Sequence, residues 1–252
     1  MSAQVIALQL YTVRDFAEKD LAATLSQVKA MGYDAVELAG TYSLKALDFK
    51  KLLDEAGLIA ISAHVPIDGF DDNDEGLIAD YKALGCKLIS IPWLPLEALP
   101  GGSGYEKTKA SLIKAAEACK EQGIMLAYHN HDFEFKTLPC GNAILDVFLD
   151  EVAFVQAQLD TGWITAAGQD PVSYIKKYSG RCPSVHLKDI VKVDGKFEDR
   201  PIGQGIQDMA AVIKAAIEAG AFILVAELDE AVGMTSLEAA RQSREYLKSI
   251  GY

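Results

Sequence analysis

Ten side chains with ligating or proton-carrying groups stand at or just beyond the ends of short apolar runs. They are Glu37, His64, His129, His131, Glu134, Asp160, His186, Asp189, Glu227 and Asp229, and they include all four histidines of the chain. Each of them alone has a structural reading. A lone histidine is often a hydrogen-bonded core residue, and a lone acid at such a junction is often a helix cap. Gathered at one place, however, these carboxylates and imidazoles would repel and desolvate one another. A divalent cation resolves that conflict. Mixed oxygen and nitrogen donors suit Mn²⁺, Mg²⁺, Co²⁺ or Zn²⁺, and the lack of cysteine among them weakens the case for a structural zinc.

The elements that must position these groups are marked by glycine. Gly32, Gly57, Gly85, Gly123, Gly180 and Gly220 each precede a short run rich in Val, Ile, Leu or Ala. Most follow an amphipathic stretch such as DLAATLSQVKAM or KTKASLIKAAEACKEQ, with apolar residues at three- and four-residue steps. That pattern describes a helix buried on one face and stopped by glycine. The runs after the glycines are nearly continuous, as in strands covered on both faces of a parallel sheet. With VIALQLY and VAFVQAQLD they make eight strands, near 5–11, 34–38, 59–65, 87–92, 125–131, 154–160, 184–188 and 222–228. Strict βα alternation over this length predicts a single (β/α)8 TIM-barrel domain over 1–252. An open doubly wound sheet is the rival, but no glycine-rich phosphate fingerprint follows any strand.

Counted from the glycines, Glu37 lies five residues on, His129 and His186 six, His64 and Glu227 seven, and His131 eight. The shared offset places them in one layer at the C-terminal mouth, where such barrels carry their chemistry. Two long connections leave the same end. PWLPLEALPGGSG follows the fourth strand. DIVKVDGKFEDRPIGQG follows the seventh and carries a hairpin signal at Asp194 and Gly195.

Composition narrows the class. The 252 residues are 50% hydrophobic and 24% charged, which excludes disordered, collagen-like and disulfide-scaffold chains. A net charge of −12 argues against a nucleic-acid partner. Cys86, Cys119, Cys140 and Cys182 form no CxxC pair and are expected to be reduced thiols. The N-terminus lacks a secretory pattern, and no apolar run reaches the ~18 residues of a membrane span. A soluble cytoplasmic protein is expected.

The phrases LQLYTVR, AVEL, AYHNHDFEF, LDTGW, VHLKD, PIGQG and VAELD, in this order, resemble the xylose-isomerase-like sugar phosphate isomerase/epimerase family. The resemblance runs along essentially the whole chain. It implies a barrel with one divalent metal, Mn²⁺ foremost, held by Asp160, His186 and Glu227. Many members carry the remaining ligand as a glutamate inside the fifth strand, where this chain reads His129, Asn130 and His131. Glu134, the nearest acid, is taken as that ligand, with His131 as the fallback. The resemblance further implies proton transfer through an enediolate, with Glu134 and Glu227 as acid and base. His64, His129, His131, Lys188 and Glu37 would then meet substrate oxygens, and Tyr11, Trp93 and Trp163 would form apolar walls. Gln9 shares a strand face with Tyr11.

The implied substrate is a sugar, a sugar phosphate or a cyclitol. Lys192, Lys196 and Arg200 either meet a phosphate or form a solvated rim. A homodimer is a family-level expectation. Rival functions stay open. AYHNH is similar to the fifth-strand His-x-His of inosose dehydratases, so a dehydratase or keto-sugar lyase on the same metal site is the main alternative. A related DNA-repair endonuclease would need a histidine where this chain has Trp163. A non-catalytic sugar-binding module is the remaining alternative.

Overall fold

Alternation along each apolar run decides the architecture. The computed structural model describes residues 4–70 and 74–252. Its strands are β1 (Val5–Gln9), β2 (Ala35–Ala39), β3 (Ile59–His64), β4 (Leu88–Ile91), β5 (Met125–His129), β6 (Gln156–Asp160), β7 (Ser184–Leu187), β8 (Asp189–Val193), β9 (Lys196–Arg200) and β10 (Ile223–Ala226). Eight of them close into a parallel barrel in the order β1-β10-β7-β6-β5-β4-β3-β2. One set of alternate residues, including Leu8, Val36, Ile89, Leu126, Leu159, Val185 and Leu224, is buried in the large core shared with the helices. The other set builds a separate plug from Ala7, Ala35, Ile61, Leu88, Ala127, Ile223 and Val225. Two residues further along, the second set turns polar at Gln9, Glu37 and Ser90, and Gln158 and His186 of β6 and β7 join that layer; all five are fully buried. Period-2 geometry therefore stacks an apolar floor beneath a polar layer inside the barrel.

The six punctuating glycines all take φ between 70° and 107°. Gly32 and Gly57 sit at the C-caps of the helices Leu21–Met31 and Ala46–Ala56, in the left-handed conformation that ends a helix.

The strand expected over 125–131 stops at His129. Its backbone pairing with β6 ends at His129 opposite Gln158. Beyond that point the Asn130 side chain accepts the Asp160 N–H at 3.0 Å. The chain then turns into a 3-10 helix, Phe133–Phe135, and His131 leaves the strand. The first strand stops at Gln9 for a similar reason, because its side chain accepts the Tyr11 N–H at 3.0 Å and starts a 3-10 turn over Leu10–Val13.

The hairpin expected around Asp194 and Gly195 is present as β8 and β9. Both turn residues have positive φ, 48° and 82°, as a primed two-residue turn requires. The PIGQG segment folds back onto Asp189, whose carboxylate accepts the N–H groups of Gly203 at 2.9 Å and Gly205 at 2.8 Å. A Cβ on Gly205 would collide with that carboxylate, so the motif needs glycine there. No disulfide joins the four cysteines. Among the described residues, no helix is long and apolar enough to cross a membrane.

Candidate active site

The ends of β5, β6, β7 and β10 converge. His129, Asp160, His186 and Glu227 each offer one ligand atom, and these atoms lie within 4.8 Å of one another. All four side chains are buried. The fifth-strand member of this group is His129; Glu134 and His131, expected from the sequence, are not among the residues it brings together. Met125, Ala127 and His129 share the inward face of β5, and Glu134 comes after the strand has turned away. Glu134 instead accepts the Tyr128 hydroxyl at 2.7 Å and the His131 N–H at 2.9 Å. Tyr128 belongs to the outer core, and Glu134, buried and absent from the cavity lining, has its Oε1 3.9 Å from Nδ1 of His131, which does line the cavity.

Glu37 lies beneath the group. It accepts from Gln9 Nε2 at 2.8 Å and Gln158 Nε2 at 2.7 Å, and it meets His186 Nε2 at 2.6 Å. Glu37, expected from the sequence to meet substrate, is fully buried, does not line the cavity and meets His186. A carboxylate on one ring nitrogen fixes which nitrogen is left for a ligand. That nitrogen, Nδ1, lies 2.6 Å from Glu227 Oε2. Burial alone would lower the His186 pKa, but Glu37 and Glu227 outweigh it and push it up to about 10. Burial would likewise raise Glu37, but His64 and His186 hold it down at about 2.

Asp160 is divided between two tasks. Oδ1 caps the following helix by accepting the Trp163 N–H at 2.9 Å. Oδ2 is buried and makes no hydrogen bond. Burial pushes the Asp160 pKa up to about 7, against the pull of Lys188. Burial, then His186 and His64, keep His129 well below its ordinary value, so its ring is neutral. A carboxylate oxygen without a hydrogen bond, a neutral imidazole and a second carboxylate around one point match the donor set of a hard divalent cation.

Lys188 is buried beside them. Its Nζ lies 2.6 Å from Asp229 Oδ2 and 3.3 Å from both Asp160 Oδ2 and Glu227 Oε2. Its stem packs against Gly162, where a Cβ would sit 2.6 Å from Lys188 Cγ. Burial would lower its pKa, but Asp160, Glu227 and Asp229 raise it well above the ordinary value.

A cavity of about 830 Å³ opens above the group. His64, His129, His131, Glu227, Tyr11, Trp93 and Trp163 line it, each a residue singled out from the sequence. Lys188 and Asp160 contribute to the charge beneath it but not to its wall. Lys192, Lys196 and Arg200 do not line it either, and Arg200 pairs with Glu198 at 2.8 Å. Three participants escape sequence reasoning. Gln158 had a signal, since Gln156, Gln158 and Asp160 alternate onto one face. Arg14 and Asp199 had none, because their positions depend on tertiary contacts: Arg14 Nη2 donates to the Asp229 carbonyl and Asp199 accepts from the Asp229 N–H.

Residues 25–250 match the model of the xylose isomerase-like TIM barrel family. The chain belongs to that family. Two solved structures of a sugar phosphate isomerase/epimerase from Parabacteroides distasonis superpose on it with TM-scores of 0.83 and 0.81. They share 24% and 25% identity and cover 100% and 98% of this chain and 96% and 98% of theirs. A xylose isomerase-like TIM barrel protein from Mycobacterium smegmatis, in complex with magnesium, has a TM-score of 0.75 at 16% identity, over 99% of this chain and 98% of that one. Among curated relatives, inosose dehydratase of Geobacillus kaustophilus is 26% identical over 66% of this chain. That match spans 61% of the relative's length. Inosose dehydratase of Clostridium perfringens is 24% identical over 89% of this chain and 88% of its own.

In this xylose isomerase-like barrel the buried Glu134 has a measurable consequence. Burial pushes its carboxyl from 4.5 to about 7. The folded state therefore holds a proton that the unfolded state releases. The stability this gives is fully present below pH 4.5 and is lost as pH rises through about 7. Relative to Glu134→Gln, the wild type is expected to lose on the order of 3 kcal/mol between pH 4.5 and 8. Urea unfolding of the two metal-free proteins across that range checks it, and parallel pH profiles would refute it.

Proposed function

We propose that this protein is a divalent-metal-dependent carbohydrate isomerase or epimerase that moves a proton at the carbon beside a carbonyl. The observation that carries this reading is the buried group of His129, Asp160, His186 and Glu227, whose Asp160 Oδ2 makes no hydrogen bond, at the floor of a cavity lined by aromatic rings. These four residues would hold the ion. The chemistry a divalent cation supplies when bound there is Lewis acidity toward a carbonyl oxygen and the charge that develops on it.

The chain's own groups do the rest. Glu227 reaches both the ion group and the cavity, and its carboxylate takes the proton next to the carbonyl. Lys188 and His186 keep Glu227 ionised, outweighing a burial that would raise its pKa. His131 lines the cavity, and burial, then Lys188, lower its pKa to about 4, so its ring stays neutral and able to carry a proton. It replaces Glu134 as the second proton carrier. His64, fixed by Gln158 Oε1 at 2.7 Å, meets a substrate hydroxyl. Tyr11, Trp93 and Trp163 cover the C–H faces of the sugar and exclude water. Return of the proton to the neighbouring carbon isomerises, and return to the opposite face of the same carbon epimerises.

A second reading, dehydration of a keto-cyclitol or keto-sugar, draws on the inosose dehydratase relatives. It needs the same proton removal followed by loss of a hydroxyl from the next carbon. Product analysis separates the two readings: an isomerase conserves mass, whereas a lyase releases water and leaves an absorbing enone or diketone. Under both, a chelator is expected to abolish turnover, and Mn²⁺ or Co²⁺ to restore it. Undiminished turnover after complete chelation would refute the metal assignment.

A further inference from the structure

The cavity is larger, and more apolar at its rim, than the groups on its floor require. At about 830 Å³ it stands near the top of the roughly 300–1,000 Å³ range of sites that enclose drug-sized ligands, and a single pyranose fills far less. The reacting groups lie at the bottom, where His129 is 3% exposed and Glu227 4%. Four large side chains line the same cavity from its rim, with Tyr11 43% exposed, Trp93 52%, Phe197 37% and Val232 44%. Apolar side chains left exposed singly need no explanation, but a set of them around one opening marks a ligand surface.

The rim has two sides. In the eight-stranded ring β4 and β10 are four steps apart, so Trp93, just after β4, stands across the mouth from Val232, which follows β10. The β8–β9 hairpin follows β7, the neighbour of β10, and brings Phe197 to the Val232 side. That side is held in place by the fold. Arg14 lies 3.9 Å over the Tyr11 ring, and Lys192, the cross-strand partner of Phe197, puts its Nζ 5.3 Å over the Phe197 ring. A cation over one face of a ring fixes it and leaves the other face for a ligand. Arg14 Nη2 also donates to the Asp229 carbonyl at 2.9 Å, while Asp199 Oδ2 accepts the N–H groups of Asp229 at 2.6 Å and Glu230 at 3.2 Å. These bonds clamp the segment after β1, the hairpin and the loop after β10 into one wall. The wall also carries the Glu198 and Glu230 carboxylates, which accept hydroxyl groups. Apolar faces for C–H groups beside carboxylates for O–H groups suit a second sugar ring, whereas an aromatic ring gains nothing from the carboxylates.

We infer that the rim is a second binding subsite, which takes the non-reacting ring of a disaccharide between Trp93 on one side and Phe197 and Val232 on the other. The reacting sugar unit lies on the floor beneath it. This rests on the proposed reading of the cavity as a carbohydrate site. Calorimetry on the Mn²⁺-loaded protein tests it, comparing D-fructose with turanose, maltulose and isomaltulose, which add a glucosyl group at different hydroxyls of fructose. A benzyl ether of fructose, substituted at the hydroxyl that isomaltulose glucosylates, is the aromatic comparator. At least one disaccharide is expected to bind at least about tenfold more tightly than D-fructose and than the benzyl ether. Phe197→Ala is expected to remove most of that gain and to leave D-fructose affinity within about twofold, whereas Phe197→Tyr keeps a ring there and should keep the gain.

D-fructose binding with no gain from any glucosyl group would overturn the subsite and leave the carbohydrate site standing. A gain for the benzyl ether alone would overturn the assignment of a second sugar ring. A gain that survives Phe197→Ala would remove the hairpin from the subsite, and an equal loss for D-fructose and disaccharide would overturn the division of the cavity into floor and rim. If none of these compounds binds, the reading of the cavity as a carbohydrate site falls, and this inference with it.

Discussion

Glu227→Gln is expected to lower turnover by at least about a thousandfold while the barrel stays folded. General acid–base catalysis alone is worth roughly 10²–10⁴-fold, and a lost metal ligand adds to that. Glutamine keeps the shape of the side chain but cannot hold a proton from carbon, and it removes one of the two negative charges facing the ion. The fold should tolerate the change because Lys188 retains Asp229 at 2.6 Å and Asp160 at 3.3 Å, and His186 retains Glu37 at 2.6 Å. Circular dichroism and thermal unfolding check the fold, and steady-state kinetics check the loss. Turnover within tenfold of wild type would remove Glu227 from the chemistry. Glu227→Asp serves as the companion, since it keeps the charge and shifts its position. It should recover metal binding more fully than turnover.

The legibility of this site in the sequence followed its distance from local pattern. Asp160, His186 and Glu227 were legible because each continues the two-residue alternation of its own strand, and His186 and Glu227 also lie at a steady offset from a helix-stopping glycine. The β8–β9 turn was legible because Asp194 and Gly195 carry its chemistry in two residues. What the hairpin lands on was not, because the contact of Asp199 with the Asp229 N–H joins segments 30 residues apart in sequence. The end of β5 was obscured in the same way. MLAYHNH continues a strand pattern past His129, and only the use of the Asn130 side chain by the Asp160 N–H ends it. A single event on the neighbouring strand thus decides which of His129, His131 and Glu134 joins the group with Asp160, His186 and Glu227. Glu37 was legible as a member of the polar layer, but its contact with His186 was not, because a strand-end carboxylate looks the same whether it meets substrate or a histidine.

That decision at β5 yields the second large effect. His129→Ala is expected to weaken Mn²⁺ binding by at least about a hundredfold, since losing even an outer partner of a metal site typically costs 10–100-fold. Glu134→Gln is expected to leave Mn²⁺ affinity within about threefold, because its carboxylate is occupied by the Tyr128 hydroxyl and the His131 N–H. Titration followed by electron paramagnetic resonance reads both. His129→Gln guards against a collapse of the emptied space, because it fills the volume with a weaker donor and should lie between alanine and wild type. The opposite ranking would mean that the segment 130–135 unwinds from Tyr128 and swings Glu134 inward when the ion arrives. Tyr128→Phe separates these two worlds. If Glu134 stays buried, removing the hydroxyl leaves metal affinity unchanged. If Glu134 must be pulled from that hydroxyl to reach the ion, removing it makes the pull easier, and affinity rises.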